Sequence, residues 1–482
     1  MKIDRIEITN YKAFMGTHEI RMNGKNMFIY GENGSGKSSL YFALKDFFQA
    51  SIEDIDLSEL ENVFVAGDQK GKTAIRIDFK PDYQGNNTPG HYSFTQTEKH
   101  LGDNGDTSIR DANRLKSFLT YKHLLDIHHL KKKDEINLFP LLVNGVLKHF
   151  KFALTQGKEL GELYSDLERL IKQPTGREFT KIQKKSIVDS ALKGFNEAFG
   201  ELFKDQSPEY ILNHAAPILE KFDSHMKIEL TFPQIRPNKE YDGLENAIVH
   251  IRVKFAGHDI QKPHLFLNEA RLSAIAISIY LGMIKRHPQG ISHKLLFLDD
   301  IFIGLDISNR MPLLEILETD FKDYQIILTT YDKPWFEYAK GFIDKSIWEI
   351  MEFYAERTAH GYEMPMMING VNLLQRAKVH YRNCDYKAAA VYVRSYFEKI
   401  IQKYCEKKKI KVPFKSRLKS HTTEDFWNEI KGGIDTGVVT EIERYRSLVL
   451  NIFSHYNLEN HEIKKELASA IKAVENLNSE LN

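Results

Sequence analysis

The stretch Met27 to Leu44, MFIYGENGSGKSSLYFAL, constrains this chain more than any other. Met27 to Tyr30 is a short apolar run of the kind that forms a buried strand, and an amphipathic helix is expected from the end of the loop to about Phe48. Between them, Gly31-Glu32-Asn33-Gly34-Ser35-Gly36-Lys37-Ser38 has the spacing G-x-x-x-x-G-K-[ST] in its required context, strand before and helix after. Glycines at 31, 34 and 36 let backbone amides turn toward phosphate oxygens without a Cβ in the way. The helix that follows adds partial positive charge at its N-terminus. Lys37 is then placed to reach the β- and γ-phosphates of ATP, and the Ser38 hydroxyl to ligate Mg²⁺. Asn33, Gly34, Ser35, Gly36 and Ser39 complete the expected cradle. The competing reading, a glycine-rich turn that matches by chance, does not account for the correct flanks.

A second signal lies far downstream. Leu295-Leu296-Phe297-Leu298-Asp299-Asp300 is a wholly apolar strand ending in two carboxylates. Such a strand is buried on both faces, as in a parallel sheet covered by helices, and ligands sit at the C-terminal ends of strands in such sheets. Asp299 is the candidate for the Mg²⁺ shell, and Asp300 for orienting the attacking water. A paired-acid turn without catalytic meaning is the bland alternative, and the phosphate loop upstream makes it the weaker one.

Composition narrows the class. The 482 residues suggest about three domains. A net charge of +1 argues against a wholly basic nucleic-acid coat and leaves room for local patches. Cys384 and Cys405 are the only cysteines, so no disulfide framework is expected and a reducing cytoplasm is the natural compartment. The opening MKIDRIEITNYKAF reads as a charged alternating strand rather than a signal peptide. No apolar run approaches the ~18 residues needed to cross a membrane, so no membrane partner is expected.

In order, alternation predicts strands at residues 3–9, 18–22 and 73–79, and residues 111–130 look helical, with Phe118 to Lys122 near a strand-to-helix junction. From Ile136 to Phe222 apolar residues recur at helical spacing, broken at Pro174-Thr175-Gly176. A helical hairpin with arms near 141–172 and 177–203 is expected there. Strands return at 227–231 and 248–255, helices open at Leu267, and another buried strand, Gln325 to Thr330, leads into Tyr331-Asp332. Residues 346–368 read as a closing hairpin, with Trp335 and Trp348 in packing roles, and everything after Gly370 reads as helical.

The order of these segments resembles the ABC-type ATPases of the RecF, RecN and SMC group over roughly residues 1–350. Asn10, Lys12 and Phe14 match the N-x-[RK]-x-F start of that family, which implies that Lys12 approaches the bound phosphates. Gly31 to Ser38 matches the Walker A loop, and Leu295 to Asp300 the Walker B strand. Gly304-Leu305-Asp306 matches the D-loop that crosses to the partner subunit. Leu267-Asn268-Glu269-Ala270-Arg271, with LSAIAISIYL behind it, looks like the ABC signature and its helix, which caps the γ-phosphate of the opposite protomer. The resemblance therefore implies a homo-oligomer, at least a head-to-tail dimer around two Mg-ATP, with Asn268 and Asp306 acting across the interface.

It implies an α/β ABC-type P-loop head, to which the helical spacing read above adds an inserted helical hairpin and a C-terminal all-α domain. The boundaries expected are 1–135 and 226–368 for the two lobes of the head, 136–225 for the insert and 369–482 for the C-terminal helices. The departures from the family pattern are specific. Asn268, Ala270 and Arg271 stand where Ser, Gly and an acid are usual, Asp300 replaces the catalytic Glu, and Tyr331 replaces the switch His. The Gln expected near Phe118 to Lys122 is not evident. A ~1 Å positioning error can cost ~10²-fold in rate, so an ATP switch with slow hydrolysis is expected; an ordinary ATPase of a divergent subfamily is the alternative.

Residues 371–404 resemble the paired helices of HEPN-type domains, some of which cut RNA with R-x-x-x-x-H. Here His455 follows Asn451-Ile452-Phe453-Ser454, but Leu450 takes the Arg position and Arg446 lies nine residues before His455. A docking or assembly module is the favoured reading of these helices. Lys407-Lys408-Lys409, Lys411, Lys415, Arg417 and Lys419 form the densest basic run, either a solvated loop or a phosphate-backbone contact with nucleic acid. His128-His129 beside Lys131-Lys132-Lys133 lacks the spacing of a metal site. A compact head with short helical arms and such an appendage resembles the ATPase subunits of bacterial anti-phage systems, Septu-type ones among them, which implies a nuclease partner protein. An ATP-gated RNA-cutting toxin and a RecF-like DNA-repair ATPase are the other two classes.

Overall fold

Strands with apolar centres that are buried at every position are covered on both faces, and three such strands lie side by side. The computed structural model describes residues 1–80, 90–102, 106–122, 135–151, 157–176, 179–286, 291–357, 361–369, 373–382, 384–413, 422–446 and 464–481. The strands run in chain order β1 (Lys2–Thr9), β2 (Thr17–Arg21), β3 (Asn26–Gly31), β4 (Ala74–Lys80), β5 (His91–Thr95), β6 (Lys99–His100), β7 (Phe118–Thr120) and β8 (Met226–Thr231). They continue as β9 (Arg236–Pro237), β10 (Leu244–Glu245), β11 (His250–Phe255), β12 (His258–Ile260), β13 (Leu295–Asp299), β14 (Gln325–Thr330), β15 (Trp348–Arg357) and β16 (Glu363–Asn369).

The central sheet has the order β16-β15-β3-β14-β13-β7. From β15 to β7 every neighbouring pair is parallel. Alternate residues of these strands feed two cores. Met27, Ile29, Leu295, Phe297 and Ile327 join one, together with Leu40, Leu44 and Phe47 of the helix Lys37–Gln49 and the inner face of the antiparallel sheet β2-β1-β4-β5-β6. Phe28, Tyr30, Leu296, Leu298, Ile326 and Leu328 join the other, against the helices Leu212–Phe222, Glu269–Arg286 and Ile307–Asp320. Each large side chain so buried contributes ~1.5–3 kcal/mol. Trp335 and Trp348 lie in this second core.

The strand β1 does not alternate strictly. Its register against β4 shifts between Ile3 and Arg5, and that irregularity lets Ile3 share the buried face with Ile6 and Ile8. The first arm of the helical insert is also shorter than its periodicity suggests. Among the described residues of this arm a regular helix runs over Leu160–Lys172, and Leu141–Val146 is a π-helical turn broken at Gly145, with φ −104° and ψ −116°. The return arm is Lys181–Gly200, opened by a capping box between Thr180 and Gln183. Within residues 111–130 a helix that spans Ser108–Arg114 ends, β7 follows, and residues 121–122 are helical as a strand-to-helix junction requires, while 123–130 lie outside the described residues.

The residues divide into two compact units, Met1–Ile368 and Asn369–Asn482. In the second, the described helices are Leu373–Arg382, Tyr386–Lys408, Thr423–Ile430, Thr436–Tyr445 and Lys464–Leu481. They pack around Ala389, Val393, Phe397, Ile401, Trp427, Ile442, Val474 and Leu477. Among the described residues, no helix is long and apolar enough to cross a membrane.

Candidate nucleotide site

At the C-terminal end of β3 the chain folds back on itself around Lys37. A Cβ on Gly31 would come within 2.4 Å of Ser35 Oγ and 2.9 Å of Lys37 Cγ. Gly36 has φ +97°, and a Cβ there would meet Pro365 Cγ of β16 at 2.6 Å. Only glycine meets both demands at residue 36. Lys37 begins the helix with its side chain 4% exposed, and its Nζ donates to Gly31 O at 2.7 Å and Glu32 O at 3.3 Å. The same Nζ lies 3.6 Å from Asp300 Oδ2.

The parallel register of β13 and β14 supplies the other wall. Ser38 Oγ donates to Asp299 Oδ2 at 3.3 Å, and Thr329 Oγ1 donates to Asp299 Oδ1 at 2.7 Å. Asp300 N donates to that same Thr329 Oγ1 at 3.0 Å. Asp300 sits in the left-handed region, φ 53° and ψ 29°, a conformation that Asp tolerates better than most side chains. Burial raises the Asp299 carboxyl above its ordinary range, against the Thr329 hydrogen bond and the Lys37 charge. Burial pushes Asp300 up to about 6, with Lys37 opposing and Asp299 reinforcing the shift. Among the described residues, the buried Ser35 Oγ and Asp300 Oδ1 have no hydrogen-bond partner. A buried acceptor or hydroxyl left so costs ~1–3 kcal/mol, which a bound ligand or its water can relieve.

These groups open onto a cavity of about 560 Å³. Asn33, Gly34, Ser35, Gly36, Lys37, Ser38, Ser39, Asp300 and Tyr331 all line it. The structure thus brings the loop, the Asp300 carboxylate and the Tyr331 phenol to one place, with Asp299 tied to it through Ser38. Lys12 is not on its wall: the Lys12 Nζ lies over the Phe42 ring, 4.9 Å from its centroid, and the neighbouring Ala13 lines the cavity instead.

Asn268 and Asp306 are also off the wall, and both cap helices. Asn268 Oδ1 accepts from Arg271 N at 3.0 Å, which leaves the Asn268 amide hydrogens outside the cap. Asp306 Oδ1 accepts from Asn309 N at 3.0 Å and from Ser308 Oγ at 2.8 Å. Burial raises the Asp306 carboxyl, but those hydrogen bonds and the charge of Arg271 outweigh it and hold the group below its ordinary value. The two residues expected to act across a dimer therefore do not line the nucleotide cavity of their own protomer, and Arg271, capped by Asn268, is the cation that acts on Asp306.

Sequence reasoning missed Thr329, Pro365 and Tyr121, the last of which lines the cavity. It also missed Arg310, whose NH1 donates to Asp332 Oδ2 at 2.6 Å and ties the segment after Asp306 to the one after Tyr331. Outside this site, Arg446 is buried and paired with Glu424 at 2.8 Å and Glu443 at 3.5 Å. Lys407, Lys408 and Lys409 are exposed at the end of the helix Tyr386–Lys408, where the dipole favours cations, with Lys411 exposed just beyond. Lys415, Arg417, Lys419, Leu450, Asn451, His455, His128, His129 and Lys131 to Lys133 lie outside the described residues.

The RecF/RecN/SMC N terminal domain model matches residues 2–348. Solved structures similar to the chain include the Smc head domain of Pyrococcus furiosus with an extended coiled coil, bound to the C-terminal domain of ScpA. That match has 15% identity over 80% of this chain and 99% of the other, with a TM-score of 0.45. The SmcHead bound to the C-winged helix domain of ScpA matches at 15% identity over 77% and 98%, TM-score 0.41. The SMC head domain from Thermotoga maritima matches at 13% over 76% and 99%, TM-score 0.36. No curated protein matches the chain.

Proposed function

The chain belongs to the RecF/RecN/SMC N-terminal domain family, with an ABC-type ATPase head, and on that premise we propose that it works as an ATP-operated switch that turns over slowly. The observation that carries this is the junction of Lys37, Ser38, Asp299 and Asp300 at one cavity, with two buried oxygens still unpartnered. The residues fit Mg-ATP: the amides of Gly34 to Ser39 and the Lys37 ammonium would hold the phosphates, and Ser38 and Asp299 would hold Mg²⁺. The ion, when bound, neutralises phosphate charge and organises the oxygens about to separate.

The chain's own residues then set the rate. Asp300 is placed to orient a water and accept its proton, but its side chain is one methylene shorter than the family's Glu and starts from a left-handed backbone. Tyr331, 45% exposed, offers a hydroxyl and no positive charge. Both changes loosen the geometry that hydrolysis needs while leaving the phosphate cradle whole. Asn268 and Asp306 reach the nucleotide of a second copy, so ATP favours the closed dimer because only that state supplies their contacts.

The resemblance to anti-phage ATPase subunits extends the reading to control of a nuclease partner. The appended helical unit supports docking over RNA cutting, since the Arg446 guanidinium is already committed to two carboxylates. The kinetic part is testable directly. Wild-type phosphate release well below ~1 s⁻¹ is expected, and Tyr331→His is expected to raise it at least ~10-fold at unchanged ATP affinity, measured by coupled phosphate detection beside nucleotide titration. Brisk wild-type release, indifferent to that substitution, would overturn the switch and leave an ordinary ATPase.

A further inference from the structure

A second cavity, of about 570 Å³, lies toward the far end of the helix that starts at Lys37. Lys45 and Gln49 of that helix form one side, and eight residues of rise separate Lys45 from Lys37 by roughly 12 Å. The two cavities share no lining residue. Asn113 enters from the end of the helix Ser108–Arg114, Lys116 from the turn before β7, Asn137 and Lys148 from the insert, and Tyr280 from the helix Glu269–Arg286.

Three lysines, Lys45, Lys116 and Lys148, therefore line one cavity, the first and last close enough for their charges to act on Lys116. Lys148 is answered by Glu53, 3.2 Å away. Lys116 is not: among the described residues its side chain makes no hydrogen bond and no ion pair. Its backbone is fixed, since φ is +48° and its carbonyl accepts from the Tyr280 hydroxyl. Burial, with Lys148 and Lys45 nearby, lowers the Lys116 pKa to about 8 against the weaker pull of Glu53 and Glu159. A half-buried cation beside two others, with no ion pair of its own among the described residues, lacks an anion. Asn113 is an independent witness, 6% exposed with an Nδ2 that has no hydrogen-bond partner. The donors thus outnumber the acceptors, and ammonium plus amide hydrogens are what phosphate oxygens take up.

We propose that this cavity is a second ligand site, which binds the phosphate group of a small phosphorylated molecule through Lys116, Lys148 and Asn113. The size suits such a molecule, because small-ligand sites run to ~300–1,000 Å³, whereas a duplex backbone tracks open grooves. Glu135 on the same wall supplies an acceptor for a hydroxyl of that ligand. The site touches the phosphate-loop helix, β7 and the signature-like helix at once, so an occupant would stiffen the junction among them.

Pyrophosphate is the probe, used on the full chain carrying Lys37→Ala so that the first site cannot respond. Saturable binding by calorimetry is expected, weakened at least ~10-fold by adding Lys116→Gln, and weakened as pH rises through about 8 as Lys116 loses its proton. In the unsubstituted protein, pyrophosphate should shield Lys116 from an amine-acylating reagent, read by peptide mass; this needs no variant to fold. No binding to the Lys37→Ala chain, equal binding by a folded Lys116→Gln chain, or no shielding would each overturn the site. Shielding by a duplex oligonucleotide but not by pyrophosphate would overturn it in favour of nucleic acid.

Discussion

Lys37→Ala is expected to lower ATP affinity by ~10²–10³-fold and to abolish phosphate release. The Lys37 ammonium is the cation that the loop encloses, held between the Gly31 and Glu32 carbonyls and 3.6 Å from Asp300. Those carbonyl contacts are what it exchanges for phosphate oxygens when a nucleotide enters. Truncation leaves a triphosphate in a shielded site without its buried counter-charge, and removing one partner of such a pair costs ~2–5 kcal/mol. At ~1.4 kcal/mol per decade that range is ~30- to ~4,000-fold, which brackets the expected loss. The same change leaves Asp300 and Asp299 with no cation between them, so the acidic pair itself repels the incoming phosphates. Fluorescent-nucleotide titration checks the affinity, and circular dichroism checks that the variant folds. An affinity within threefold of wild type would mean that the loop does not hold phosphate through Lys37.

Asp300→Asn is expected to do the opposite to binding: phosphate release falls ~10²–10³-fold while ATP is held as well as or better than by wild type. Asn is nearly the shape of Asp and tolerates the left-handed φ of 53° equally, so the backbone hydrogen bond to Thr329 survives. What is lost is the carboxylate that would accept a proton from water, and with it a like charge beside Asp299. Nucleotide retention after rapid desalting, read beside phosphate release, separates the two effects. A variant that releases phosphate at the wild-type rate would remove Asp300 from catalysis.

Both predictions rest on the part of the site that was legible in the sequence, and the reason is locality. The phosphate loop is contiguous, and the Leu295 to Asp300 strand announces its burial by being apolar on both faces. Thr329 was not legible, because its grip on Asp299 and Asp300 depends on how β14 registers against β13. Pro365 stands against Gly36 only because β16 closes the far edge of the same sheet. Lys12 was placed by pattern at the phosphates, yet its Nζ lies over Phe42 and its neighbour Ala13 faces the cavity. Residues 141–150 carry helical apolar spacing because they fill a core, and Leu142, Val143, Val146 and Leu147 are all buried. The turn at Gly145 shows that a burial pattern alone does not dictate a regular helix.

The most direct test of the switch is the solution mass of the full chain, alone and with Mg-ATP, by light scattering. Lys37→Ala and Asn268→Asp are run beside it, the second placing a carboxylate where an amide would face the partner's phosphates; like charges so opposed cost several kcal/mol. A mass that doubles with Mg-ATP, in the wild type alone, is the expected result. Nucleotide that binds tightly to a chain whose mass never changes, or doubling that survives Asn268→Asp, would contradict a dimer closed by contacts to the partner's ATP.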